Sequence, residues 1–316
     1  MDLVALPERP VPEGARAGTV TTSDGVLLRY ARWEAIGTLR KGTLVLIQGR
    51  TEFIEKYFDV IEALRARGFG VLAFDWRGQG GSSRLTGDVR KGHVRRFSDY
   101  QIDFETIMET VALPDCRPPF FALAHSMGGA ITIEALKAGR NWFDRVVLSA
   151  PMIGLVEVPR STLPLLAVTA LSLLGFASAV IPGGTLSPLA KRPFETNPVT
   201  SDPEQYARLA AYADVDPRLG MGAPTIGWVR EALRVTRAIS QPLYALDIRQ
   251  PMLIIAAGND PLVSTPAIER FGSQLKAGRT LVIQGAKHEM MFERPIFREQ
   301  FWAAFDAFVP GEQPFL

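Results

Sequence analysis

Cysteine is all but missing from this chain: Cys116 stands alone among 316 residues. That excludes an intrachain disulfide and any zinc site built on cysteines. Histidine is nearly as scarce, at positions 93, 125 and 288 only, and these share no metal-ligand spacing. Charge of one sign never accumulates. Thirty-five Lys and Arg face 33 Asp and Glu for a net +2, with no long basic run, so nothing points to nucleic acid as a partner. Met1–Pro10 lacks a basic stretch leading into an apolar core, which predicts no secretory signal and a cytoplasmic protein.

Charge is also missing from Ser161 through Ala190, a run approaching the length of a transmembrane helix. Three readings compete: an apolar helix over an active site, a surface helix that contacts a membrane to collect lipid, and a true span. The first two are compatible. Pro164, Gly175 and several Ser and Thr interrupt the run, and α/β sequence encloses it, so a helix over a site is favoured and a span is not.

What is present is a globular composition, 47% hydrophobic, in a chain long enough for one large α/β domain with an insertion or for two domains. Strand and helix patterns alternate, which predicts a mostly parallel, twisted sheet with helices on both faces. A hairpin around Asp24-Gly25 opens the chain. Strands follow at Thr43–Ile47, Val71–Phe74, Pro119–Leu123 and Arg145–Ser149. Helices are expected over Lys56–Arg67, stopping at Gly68, and from a capping box of Ser98 and Gln101 to about Val111. After Pro151 the rhythm breaks, and resumes with strands at Met252–Ala257 and Thr280–Ile283. The simplest organisation is a first core part over 1–151, a helical cap over 152–247 inserted after the strand ending near Ser149, and a second core part over 248–316.

Ala124-His125-Ser126-Met127-Gly128-Gly129 stands between an apolar strand and the helical pattern Ala130–Lys137. This is the setting of a nucleophile elbow, whose tight turn needs small neighbours and lifts the serine Oγ clear of the sheet. The helix N-terminus also offers free N–H groups to a developing oxyanion. A helix N-cap serine after a strand is the plainer explanation of the same residues. A serine nucleophile needs a base, and the base needs an orienting acid. His125 is beside the serine and points elsewhere, and His93 lies in a polar loop. His288 follows the last strand. Asp260 follows the strand Met252–Ala257, and Asp247 is weaker because it precedes that strand. A turn-forming Asp before proline would also explain Asp260. Yet Ser126, Asp260 and His288 each sit just after a strand, in the chain order of the hydrolase triad.

With these residues in view, the chain resembles the α/β-hydrolases of the lysophospholipase and monoacylglycerol lipase branch, bacterial lysophospholipases above all. The resemblance rests on Gln48–Tyr57, Asp75–Gly80, Ala124–Gly129, Gly258-Asn259-Asp260 and Ala286–Glu289. In the cap it extends to Arg192–Asp202 and Pro224–Trp228, so it covers Thr19 to Phe308. It implies an α/β-hydrolase fold, Ser126 as nucleophile, His288 as general base and acid, and Asp260 as orienting acid. The backbone N–H groups of Arg50 and Met127 would form the oxyanion hole, and no metal or organic cofactor is needed. Two departures stand out: Ala124 for the first elbow glycine, and Gln48-Gly49 where much of the wider family has His-Gly.

The expected activity is hydrolysis of lipid-like carboxylic esters, lysophospholipid or monoacylglycerol, through an acyl-enzyme. The apolar cap suggests a greasy substrate, with Arg50, Leu173, Phe176 and Trp228 as substrate-binding candidates and a peripheral membrane contact through the cap. The Arg50 side chain either pairs with Glu52 or Glu55, or meets a phosphate or glycerol headgroup. Short-chain carboxylesterase and thioesterase remain alternatives. An aminopeptidase would need an acid for the substrate amine, with Glu195 or Asp214 available. A binding module without turnover is disfavoured, because all three triad candidates are retained. Oligomeric state is not legible.

Overall fold

The computed structural model describes residues 2–156, 162–188 and 191–309. Eight strands form one sheet: β1 (Arg16–Thr21), β2 (Leu27–Trp33), β3 (Thr43–Ile47), β4 (Gly70–Phe74), β5 (Phe120–His125), β6 (Arg145–Ser149), β7 (Met252–Ala257) and β8 (Gly278–Ile283). Their spatial order is β1-β2-β4-β3-β5-β6-β7-β8. Only β1–β2 and β2–β4 pair antiparallel; every other neighbour is parallel. Composition explains the difference. β3, β5 and β7 are buried at every position and apolar except at Thr43 and His125, as befits strands covered on both faces. β1 and β8 lie at the edges and alternate in exposure.

From β3 the chain runs first to β4 on one side, then returns to β5 on the other. The crevice beyond the ends of β3 and β5 is therefore a topological switch point, where open α/β sheets bind ligands. Between β6 and β7 no described residue joins the sheet. That stretch holds the helices Leu163–Leu171, Pro203–Val215 and Ile226–Ile239, together with short turns.

Local details depart from the sequence expectations in two places. Residues 54–57 form a 3-10 turn before the helix Phe58–Ala66. Ser98 and Gln101 make no capping box: Ser98 has helical backbone angles and no side-chain cap bond. Gln101 instead donates to the Ile131 carbonyl at 2.9 Å, so a tertiary contact outcompetes the local one.

Buried charge fixes the loops after β3 and β4. Arg29, on β2, is 2% exposed and donates to both Glu55 oxygens at 2.6 and 2.7 Å and to Asp75 Oδ2 at 2.7 Å. Asp75 in turn accepts the Ile54 and Gly81 amides at 3.0 and 2.7 Å.

The helix Met127–Lys137 presses onto the sheet at Gly128, where a Cβ would lie 2.5 Å from the Gln48 carbonyl oxygen and 2.6 Å from that of Ile47. Gly128→Ala is therefore expected to destabilise the protein by about 1–3 kcal/mol. Gly87→Ala, whose Cβ would meet nothing within 4 Å, is expected to leave the thermal midpoint unchanged. Thermal unfolding decides the matter; matching midpoints for the two variants would refute the close approach.

Candidate active site

Ser126 sits between β5 and the helix Met127–Lys137 with φ 50° and ψ −114°. A non-glycine residue adopts such angles only when its surroundings impose them. Here its N–H donates to the Ser149 carbonyl at 3.0 Å and its own carbonyl accepts the Met152 amide at 2.9 Å. The strained turn aims Oγ at His288, whose Nε2 is 2.9 Å away. The other ring nitrogen, Nδ1, lies 2.7 Å from Asp260 Oδ2.

Each partner is held by its own loop. Asp260 follows β7, and its Oδ1 accepts the amides of Leu262 and Val263 at 2.8 and 3.0 Å. Burial would raise the Asp260 carboxyl, but the facing His288 and these hydrogen bonds hold it below the ordinary range. His288 follows β8, and the Asn259 amide donates to Ala286 at 2.9 Å, tying the two loops together. Burial would lower His288, yet the Asp260 charge and hydrogen bond, helped by Glu289 and Glu52, raise it above 6.5. This arrangement can move a proton from a hydroxyl to an imidazole and stabilise the resulting cation.

Met127 N is at the first helical position and Arg50 N just past β3. Among the described residues neither amide has a protein acceptor. The Arg50 loop is clamped from below. Gln79 Nε2 donates to the Gly49 and Glu52 carbonyls at 2.8 and 3.0 Å, and Trp76 Nε1 to the Gln48 carbonyl at 2.8 Å. The Glu52 carboxylate accepts the Gly49 amide.

Glu52 belongs to a buried cluster that sequence reasoning did not assign. Lys56 Nζ lies 2.6 Å from Glu52 and 2.7 Å from Glu289, and Tyr57 donates to Glu52 at 2.6 Å. Burial pulls the Glu52 carboxyl up, but the Lys56 charge and the bonds from Lys56 and Tyr57 hold it at about 2. The His125 ring lies 4.8 Å from that of His288, tilted 54° to it, and hydrogen-bonds the Ser149 carbonyl at 3.1 Å. Burial lowers it to about 3, so it stays neutral. Glu52, His125 and Glu289 bring ligand-type atoms within 4.8 Å of one another, but Lys56 already supplies the cation between the two carboxylates. The i,i+4 pair Glu52/Lys56 was the available sequence signal.

These groups line a cavity of about 310 Å³ with Arg50, Met152, Leu155, Trp228 and Val263 in its wall. Trp228, a substrate-binding candidate, is thus in that wall. Leu173 and Phe176 are not: they are 81% and 54% exposed and outside the cavity wall. The helix Leu163–Leu171 turns Leu165, Val168 and Leu171 toward Ile226, Val229 and Leu233, and Gly175 at φ 93° breaks the helical path between Leu173 and Phe176. Arg50 pairs with neither Glu52 nor Glu55, which are taken by Lys56 and Arg29. His93 bonds Thr225 Oγ1 at 3.0 Å, a structural role. Asp247 is exposed and pairs with Lys137.

Comparison with known proteins agrees with this geometry. The model of the Hydrolase_4 family, described as serine aminopeptidase, S33, matches residues 39–295. Lysophospholipase L2 of Escherichia coli K12 is 34% identical over 294 residues, covering 88% of this chain and 82% of that protein. A monoacylglycerol lipase of Mycolicibacterium smegmatis is 27% identical, covering 85% and 88%. In fold, the chain is similar to a soluble variant of Saccharomyces cerevisiae monoglyceride lipase solved with a substrate analog. The TM-score is 0.74 at 18% identity, over 97% of this chain and 98% of that one. The chain therefore belongs to the Hydrolase_4 family, as an α/β-hydrolase of its lysophospholipase and monoacylglycerol lipase branch and a carboxylic ester hydrolase.

Proposed function

We propose that this enzyme cleaves lysophospholipid or monoacylglycerol esters with Ser126 as nucleophile, His288 as general base and acid, and Asp260 as the acid that orients it. One observation carries the reading: Ser126 Oγ, bonded to His288 Nε2, opens into a mostly apolar cavity. Ser126 Oγ attacks the acyl carbonyl carbon while His288 takes its proton. The Arg50 and Met127 amides bind the oxyanion. Collapse releases the alcohol, which leaves with the proton from His288. Water, deprotonated by His288, then attacks the acyl-enzyme and frees the fatty acid and Ser126.

An aminopeptidase is less well supported. Glu195 is exposed and outside the cavity wall, and Asp214 is exposed and bound to Lys191. The carboxylates that do reach the cavity, Glu52 and Glu289, are occupied by Lys56.

The cap also presents Leu163, Leu166, Leu173 and Leu174 to solvent, each at least 60% exposed. No helix among the described residues is long and apolar enough to cross a membrane. We propose that this ridge rests on a lipid surface from which the substrate is drawn.

Three measurements test these readings. A panel of p-nitrophenyl esters of graded length, a monoacylglycerol, a lysophosphatidylcholine and an aminoacyl-p-nitroanilide should show lipid hydrolysis that Ser126→Ala abolishes. Turnover of the anilide alone would sink the lipase reading. Because His288 must be neutral to accept a proton and its pKa is raised, kcat/KM should rise with pH through a midpoint above 6.5. Asp260→Asn should move that midpoint down and cut kcat by on the order of 10³–10⁴; an unmoved midpoint would assign the limb to another group. Finally, the double variant Leu173→Asp/Leu174→Asp should cosediment less with phospholipid vesicles while hydrolysing a soluble short-chain ester at an unchanged rate. Equal cosedimentation would remove the ridge from membrane contact.

A further inference from the structure

Arg50 is a cation without a counterion in the wall of the catalytic cavity. Among the described residues no carboxylate lies within ion-pair distance of it, since Glu52 and Glu55 are committed to Lys56 and Arg29. Its guanidinium makes one hydrogen bond, from Nη2 to the Gly222 carbonyl at 3.0 Å. Its Nε is buried and has no acceptor. Trp228 packs against it with the ring centroid 5.0 Å from Cζ, which fixes the plane of the fork. Burial lowers Arg50 to about 10, with only a small opposing contribution from Tyr100, so the group stays charged at neutral pH. A half-buried, oriented guanidinium with unused donors suits a planar or tetrahedral oxyanion that accepts two of them.

We infer that the Arg50 guanidinium is the subsite for the phosphate of a glycerophospho headgroup and makes the enzyme select lysophospholipids over neutral monoacylglycerols. The inference rests on the lipid-ester reading above and deepens it. Chain length fits the assignment. About six covalent bonds separate an arginine's backbone nitrogen from its Cζ, and about six separate the ester carbonyl carbon of a 1-acyl lysophospholipid from phosphorus. With the acyl carbonyl oxygen at the Arg50 amide, a phosphate about six bonds from the carbonyl carbon matches the reach of the same residue's side chain. The charge pattern of the cavity agrees. Glu52 and Glu289 also border it, but Lys56 lies between them at 2.6 and 2.7 Å. Arg192, exposed at the cavity rim, adds a second cation. A monoacylglycerol leaves Arg50 unpaired in the complex; a lysophospholipid does not.

The test is a selectivity ratio. Wild type, Arg50→Gln and Arg50→Lys are assayed in mixed micelles on a lysophosphatidylcholine and a 1-monoacylglycerol with the same acyl chain. The ratio of their kcat/KM values should favour the lysophospholipid in wild type. Arg50→Gln should lower that ratio by about 10- to 100-fold, and Arg50→Lys should restore part of it. Fluorophosphonate labelling of Ser126 counts the folded, active fraction of each variant. If Arg50→Gln does not label, the Arg50→Lys ratio decides: a ratio equal to wild type with both rates lowered together overturns the subsite. So does any variant in which both substrates fall by the same factor, because a residue that only packs or positions the loop cannot tell them apart. A wild type that hydrolyses neither lipid overturns the lipid-ester reading itself, which is a different result from an unmoved ratio.

Discussion

The close approach of the helix Met127–Lys137 to the end of β3 is the constraint on which the site depends. Two glycines permit it. A Cβ at 128 would enter the carbonyls of Ile47 and Gln48, and one at 129 would lie 2.7 Å from Pro151 Cβ. With the helix seated, Ser126 is forced to φ 50°, and its Oγ is lifted off the sheet. Met127, whose amide is the first of the helix, and Arg50 line the same cavity. In the proposed oxyanion hole their two amides need no reorganisation when charge develops.

Fixed charge holds the loops around that contact. Arg29 gathers Glu55 and Asp75, while Lys56 joins Glu52 to Glu289. Burying such groups is costly unless every partner is present, so each cluster acts as a geometric fastener. Lys56 is the most consequential. It links the loop bearing the Arg50 amide to the residue next to His288, so one proposed oxyanion donor and the proposed base are held by one cation. Arg50 stands apart from this economy of paired charge, beside Trp228 and the open cavity.

How much of this could be read in the sequence follows from how local each signal is. Ser126, Asp260 and His288 were legible because each lies in the turn or loop that follows a strand, and the order of strands fixes the order of loops. The oxyanion amides were legible only by position, since a backbone donor leaves no residue signature. The Lys56–Glu289 bond was not legible: its partners come from opposite ends of the chain. The inner face of the cap helix was not legible either. Residues 163–171 are apolar all round, so periodicity gave no means of telling Leu165 from Leu166, or of predicting that Leu173 and Phe176 would stay outside. The Ser98/Gln101 pattern failed for the converse reason, a local motif overridden by the contact of Gln101 with Ile131.

The inserted region is also not uniform in how it is attached. Lys287 Nζ bonds the Asn197 carbonyl at 3.0 Å, the Glu289 amide bonds Val199 at 2.8 Å, and Thr200 Oγ1 bonds Phe292 at 2.8 Å. Residues 197–200 are thus a buttress for the loop that carries His288, although they lie in sequence among cap residues. The arm over 162–188 makes no such bond to that loop among the described residues. A change in the arm would leave these three bonds in place. In the buttress, a change would loosen the loop that carries the proposed general base, His288. One insertion therefore joins a stretch tied to the His288 loop and a stretch that is free of it, and only the first can transmit a disturbance to that loop.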